Sequence, residues 1–169
     1  MEYTEVVAES LQFQETPAGL FVRAEGHITA AISADLRELV LDRLSRPPVP
    51  LQVAVDLQLC DYMDSTFMGL LVGFHKRFKV LTGRPLTILR PSQECVKLLT
   101  GLGILKLMHL VVGDEPPSPL TWQTVHHAQK ASPEIILRAH QNLSELSDEN
   151  AQKFHTLESI LEQQVPKKP

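Results

Sequence analysis

Residues 51–57, LQVAVDL, form a short run rich in β-branched side chains and free of turn formers. A segment that is apolar at successive positions cannot present one wet and one dry face, so it reads as a central strand covered on both sides. Such a strand belongs to a parallel sheet, and parallel neighbours need crossover connections, usually helices. The rest of the chain supplies them. SLQFQET alternates apolar and polar, PAG turns, and LFVRAEGHI resumes, which predicts a hairpin whose second strand ends at Gly26. From Ser33 the period lengthens: Leu36, Leu39, Val40 and Leu44 predict a helix with Ser33 as N-cap and Asp35 near its positive end, stopped by RPPVP. Phe67, Leu70, Leu71, Phe74, Phe78 and Leu81 make a second helical stripe, closed by TGRP with Gly83 as C-cap. PLTILR is the next strand, SQECVKLLTGLG a helix capped by Ser92 and ended by Gly101 and Gly103, and LMHLVVG a last strand. The order β-β-α-β-α-β-α-β predicts an α/β fold. Its single mixed, mostly parallel sheet carries right-handed crossovers, helices mainly on one face and the hairpin on an edge.

After Gly113 the pattern breaks. GDEPPSPLTWQ reads as a linker, or as a loop pinned by Trp122. Then SPEIILRAHQNLSEL opens with Ser132 as N-cap, Pro133 at the first helical position and Glu134 in the first turn. Ile135, Ile136, Ala139, Leu143 and Leu146 form its apolar face. Ser147 starts another helix, with the stripe Ala151, Phe154, Leu157 and Leu161. Two short amphipathic helices are unstable alone in water, so they pack on each other, on the preceding domain or on another chain. The expected organisation is a domain over 1–113, a linker over 114–131, a helical hairpin over 132–165 and a frayed end.

The charge follows this division. Of the 169 residues, the first 113 carry 12 acids and 11 bases, and the remainder 8 acids and 5 bases, within a net charge of -4. A chain of that sign is a poor match for nucleic acid or an anionic membrane. The apolar fraction of 43% fits a soluble globular domain. No apolar run reaches the roughly 18 residues of a membrane span, and MEYTEVVAES has no signal-peptide pattern, so a cytoplasmic protein without membrane insertion is expected. Cys60 and Cys95 lie in apolar stretches and read as buried free thiols. His126-His127 is the nearest approach to a metal pair, but adjacent side chains do not share a helix face. No metal and no cofactor is expected.

The functional question centres on CDYMDSTFMGLL, residues 60–71, where a strand runs into Asp64-Ser65-Thr66 and a helix begins. Asp64 or Ser65 can be a plain helix cap. Ser65 can also be a hydroxyl held out for another protein. At a helix start it lies near free N–H groups and the positive end of the dipole, a place that tolerates added negative charge. A nucleophilic role needs a base held by a third group. There is no G-x-S-x-G elbow, and His75 lies nearly three turns down the helix. No P-loop appears, so the chain is not expected to be an enzyme. Met68, Val72, His75 and Lys76 form the face opposite the core stripe, and exposed Met68 and Val72 suit a partner surface. Lys76, Arg77 and Lys79 read as a solvated helix end.

The run from VAVDLQLCDYMDS to KLLTGLGILKLMHLV resembles the STAS domain, the fold of anti-sigma-factor antagonists. The likeness rests on Asp64-Ser65, the hydroxyl of Thr66, Gly69, the later Gly-containing turn with its final strand, and GHI after the early strand. It covers about residues 8–112 and departs at Phe67, where the family usually has glycine. The resemblance implies a non-enzymatic regulator that binds an anti-sigma factor acting as serine kinase. It also implies phosphorylation of Ser65 by that kinase and resetting by a serine phosphatase. Partner contacts would then involve Asp64, Ser65, Thr66, Met68, Gly69 and Val72. Two alternatives stay open: a STAS scaffold that forms a homo-oligomer or a signalling complex through its C-terminal helices, and a STAS accessory subunit of a lipid transporter.

Overall fold

The computed structural model describes residues 9–113, 121–126 and 129–166. Expectations for the first eight residues, for 114–120, for His127 and for the last three residues lie outside this range. The described strands are β1 (Ser10–Thr16), β2 (Gly19–Ile28), β3 (Val53–Asp56), β4 (Cys60–Met63), β5 (Thr87–Leu89), β6 (His109–Val111) and β7 (Gln123–Thr124). The helices are α1 (Ala30–Leu44), α2 (Ser65–Thr82), α3 (Gln93–Gly101), α4 (Pro133–Ser144) and α5 (Asp148–Gln164). One sheet runs in the order β6-β5-β3-β2-β1-β7, with β4 paired to β2 off this path. β1 is antiparallel to both β2 and β7, while β2–β3, β3–β5, β5–β6 and β2–β4 are parallel. The expected single, mostly parallel sheet with an edge hairpin is what the chain forms.

β3 is buried at all four positions. On one side Val53 and Val55 join the main core with Leu36, Val40, Phe67, Leu71, Phe74 and Phe78 from α1 and α2. On the other, Ala54 packs with Phe21 and Leu89 under Val111 and Trp122. Trp122 also stacks on the Arg23 guanidinium, 4.3 Å from the ring centroid. Its loop is thus pinned to the helix-poor face, as the indole's size and cation affinity favour. Beneath it, Asp56 is buried and holds Arg90 Nη2 at 2.8 Å and Arg23 Nε at 3.7 Å, which offsets the cost of burying its charge.

Several boundaries differ from the sequence reading for local reasons. β2 does not end at Gly26. It bulges there, with φ of 77° at Gly26 and a register shift before His27, and continues to pair with β4. The strand that runs into Asp64 is β4, a separate strand that the predicted element order did not count. Helix α1 begins three residues before Ser33: Thr29 is the N-cap and accepts from Ala31 N, while Ser33 is buried with Oγ donating to Thr29 O at 2.7 Å. β7 is a two-residue addition to the β1 edge inside the expected linker. Gly83 caps α2 in the left-handed conformation, and Ser92, Ser132 and Ser147 cap α3, α4 and α5.

Cys60 and Cys95 are free and buried. Their sulfurs lie 3.4 Å from Tyr62 O and 3.3 Å from Cys60 O, respectively. The hydrogen bond with Cys95, together with burial, pushes the Cys60 thiol up, so it stays protonated.

Leu71 is fully buried at the centre of α2. Replacing it by alanine leaves a cavity against the sheet, and Leu71→Ala is expected to lower unfolding free energy by about 2–5 kcal/mol in urea titration.

Candidate functional site

The site is organised by one carboxylate. Asp64 Oδ1 accepts from Phe67 N at 2.9 Å, the ordinary N-cap bond of α2. Its Oδ2 accepts from Ala30 N at 2.7 Å, an amide of the first turn of α1. Its own N–H donates to Ile28 O at 3.0 Å, the last residue of β2. Asp64 thus ties the ends of β2 and β4 to the positive ends of two helices, where its charge is favoured twice over. The capping reading therefore belongs to Asp64, and Ser65 follows as the first helical residue.

Ser65 is partly buried, with Oγ 2.8 Å from His140 Nε2 on α4. The other ring nitrogen, Nδ1, lies 2.7 Å from Ile136 O, and a carbonyl only accepts, so Nδ1 carries the proton. In the neutral ring Nε2 is then the acceptor, and Ser65 donates to it. The ring is buried and packs edge-on against Phe154, 5.1 Å between centroids. A serine on a base held by a third group is the outline of an activated nucleophile. Here the Phe67 amide of the same helical turn is already held by Asp64 and is not free to receive an oxyanion. The pair satisfies a buried imidazole and a partly buried hydroxyl and joins α2 to α4.

Sequence reasoning looked for a partner of Ser65 at His75 and missed His140. The signal existed: Ile136, His140 and Leu143 share the helical spacing of the α4 stripe. His75 instead accepts from Leu86 N at 3.2 Å through Nδ1, inside the core.

The remaining candidate residues sit differently from expectation. Met68 and Val72 are buried, 5% and 0% exposed; they are not an open surface. Thr66 and Gly69 are buried too. A Cβ on Gly69 would stand 2.2 Å from Ala139 O, so only glycine permits this crossing. Asn142 Nδ2 donates to Gly69 O at 3.3 Å, and Lys76 reaches Asn142 and Glu145. Phe67 is fully buried in the core and points away from this surface. What stays open beside Ser65 is a cleft of about 350 Å³ lined by Tyr62, Met68, Leu102 and Phe154, with Lys97 and Lys153 among its walls.

With this geometry in place, the comparisons with known proteins are decisive for the family. The family model described as "Mlab, STAS domain" matches residues 11–111, more than half of the chain. The chain belongs to the STAS family. Two solved structures share its fold. One is the anti-sigma factor antagonist SpoIIAA in its unphosphorylated form, at TM-score 0.54 and 19% identity, covering 64% of this chain and 90% of that one. The other is the Bacillus cell fate determinant SpoIIAA in the phosphorylated form, at TM-score 0.52 and 19% identity, covering 64% and 93%. At that identity the likeness speaks to the fold. Among curated proteins, none matches. The STAS match ends at residue 111, so α4 and α5 lie beyond it. Among the described residues, no helix is long and apolar enough to cross a membrane.

Two outcomes test this description. Asp64→Ala frees one amide on each of two helices and is expected to cost about 2–4 kcal/mol of stability by denaturant titration, more than a single cap. Burial, helped by Lys79 and Lys76, holds the His75 imidazole below its ordinary value of 6.5. The unfolded chain therefore takes up this proton first as pH falls. Stability is retained above about pH 6.5 and lost below it, and the loss between pH 7 and 5 is expected to be shallower in His75→Gln.

Proposed function

We propose that this STAS protein is a non-enzymatic regulatory binding protein, an antagonist of an anti-sigma factor that is also a serine kinase. Phosphorylation of Ser65 switches it and a serine phosphatase resets it, in the cytoplasm. The observation that carries the reading is the position of Ser65, first residue of α2 directly after the Asp64 cap, with its side chain on the wall of an open cleft. The similar SpoIIAA fold has been solved both with and without phosphate, which supports a modification that leaves such a fold standing. In this reading residues 1–113 are the switch domain, 114–131 a connection and 132–165 a helical extension. Asp64, Ser65, Thr66, Met68, Gly69 and Val72 form the docking face in this reading, with Thr66, Met68, Gly69 and Val72 buried in the resting chain.

The chemistry is simple. The γ-phosphoryl group of ATP moves to Ser65 Oγ, ADP leaves, and the hydroxyl proton passes to a base of the kinase. The product carries about -1.5 to -2 charges where a neutral hydroxyl stood. A partner that had desolvated that hydroxyl meets an unmatched anion, and a loss of only about 1.4 kcal/mol is tenfold in affinity.

A second reading, a scaffold that assembles through the tail, draws on Leu157 and Ile160, which are exposed on α5. It predicts a concentration-dependent mass in light scattering that Leu157→Ser with Ile160→Ser abolishes. The leading reading is tested by incubating the protein and Ser65→Ala with the anti-sigma kinase and ATP. Phosphate is expected on the parent alone; equal labelling of both, or of neither, removes the proposal.

A further inference from the structure

The α2 face that the proposed function assigns to a partner is filled by the chain itself. Helix α4 crosses α2 where Gly69 and Gly73, one turn apart, leave a trough. Ala139 backbone lies over Gly69, and the Asn142 side chain lies over Gly73. Two glycines inside an 18-residue helix weaken it relative to alanine, and here both clear the way for another helix. The same crossing links Ser65 to His140, and Met68 and Val72 on this side of α2 are buried.

We infer that the α4–α5 hairpin is an in-chain lid on the docking face, so that the hairpin and a partner's helix exclude one another. The inference rests on the proposed function for the identity of that face. Three observations favour a lid over a fixed layer. The STAS match ends at residue 111, before the hairpin starts. Beside the apolar anchors Leu143 and Phe154, the seam carries three polar, exchangeable links: Ser65 to His140, Asn142 to Gly69 O, and Lys76 to Glu145. The chain ahead of the hairpin is anchored separately. β7 pairs with β1, Val125 N donates to Leu11 O at 2.8 Å, and Gln129 N donates to Asp35 Oδ2 at 3.2 Å. Release at α4 therefore leaves the hairpin tethered close by and able to reseat at high effective concentration. The lid also describes the partner it yields to: an amphipathic helix with a small residue over Gly69, apolar side chains for Met68 and Val72, and a hydrogen-bond acceptor facing Ser65.

Hydrogen exchange on the full chain tests the lid without any partner. The amides of α4 and α5 are expected to exchange together at least tenfold faster than those of β3. Exchange of all three at one common rate would make the hairpin an integral layer and overturn the inference. Ala139→Arg, which cannot keep the close crossing, is expected to speed α4–α5 exchange a further tenfold or more with β3 protected as before; equal loss of β3 protection counts against the lid. If that variant does not fold, the parent's exchange pattern decides. As a binding probe, a labelled peptide of residues 132–165 is expected to bind Ala139→Arg at least tenfold more tightly than the parent, and equal binding overturns mutual exclusion. These readouts are independent of phosphorylation. Failure of Ser65 labelling therefore removes the proposed function while leaving the lid standing, and a uniform exchange rate does the reverse.

Discussion

Everything at the site hangs on the two oxygens of Asp64. A carboxylate at a helix start ordinarily satisfies amides of one helix. This one divides itself between α1 and α2 while its backbone N–H binds the end of β2. Two helix dipoles thereby point their positive ends at one anion, and the strand that delivers Asp64 cannot slide without breaking bonds to both. The consequence for Ser65 is positional. With the cap role taken by its neighbour, its hydroxyl is left out of the amide network and turned toward whatever lies against α2.

What lies there is α4, and the seam is unlike the core beneath it. The opposite face of α2 is closed by Phe67, Leu71, Phe74 and Phe78 against β3 and α1, contacts that no polar exchange could replace. The outer face has two glycines, a serine, a methionine and a valine, met by Ala139, His140, Asn142 and Leu143. The hairpin is not without apolar anchorage, since Leu143 and Phe154 join the main cluster. Asn150 reinforces it, its Nδ2 donating to Leu102 O at 2.9 Å and Leu143 O at 3.0 Å. The hairpin is thus held firmly enough to be seated at rest, by contacts that another amphipathic helix could reproduce.

How much of this was legible in the sequence depended on the range of the cause. Local causes read well. Asp64 before an apolar stripe, Gly83 after it, and Ser92, Ser132 and Ser147 as caps all follow from backbone needs within four residues. The parallel sheet was legible from the unalternating VAVD. Ser33 was read as the N-cap of α1 because it is as good a cap by type as Thr29, the true cap. Only the packing of Ser33 against Thr29 O distinguishes them. The strand running into Asp64 was read but not counted apart from β3 in the element order, and β7 was missed because two residues carry too little period to separate from a loop.

The instructive error is the outer face of α2. Met68 and Val72 lie off the core stripe, and residues off the stripe of an amphipathic helix are normally wet. That inference assumes one dry side. Gly69 and Gly73 were the contrary signal, because glycine one turn apart in a helix has no use on a solvated surface and a clear one under a crossing helix. The two amphipathic segments after Ser132 were recognised as needing an apolar surface to cover. The glycine pair marked where that surface was, one helical turn beyond the serine. Taken together, these two facts place a short helix over α2 from sequence pattern alone, and His140, on the stripe between Ile136 and Leu143, is the residue such a placement brings to Ser65.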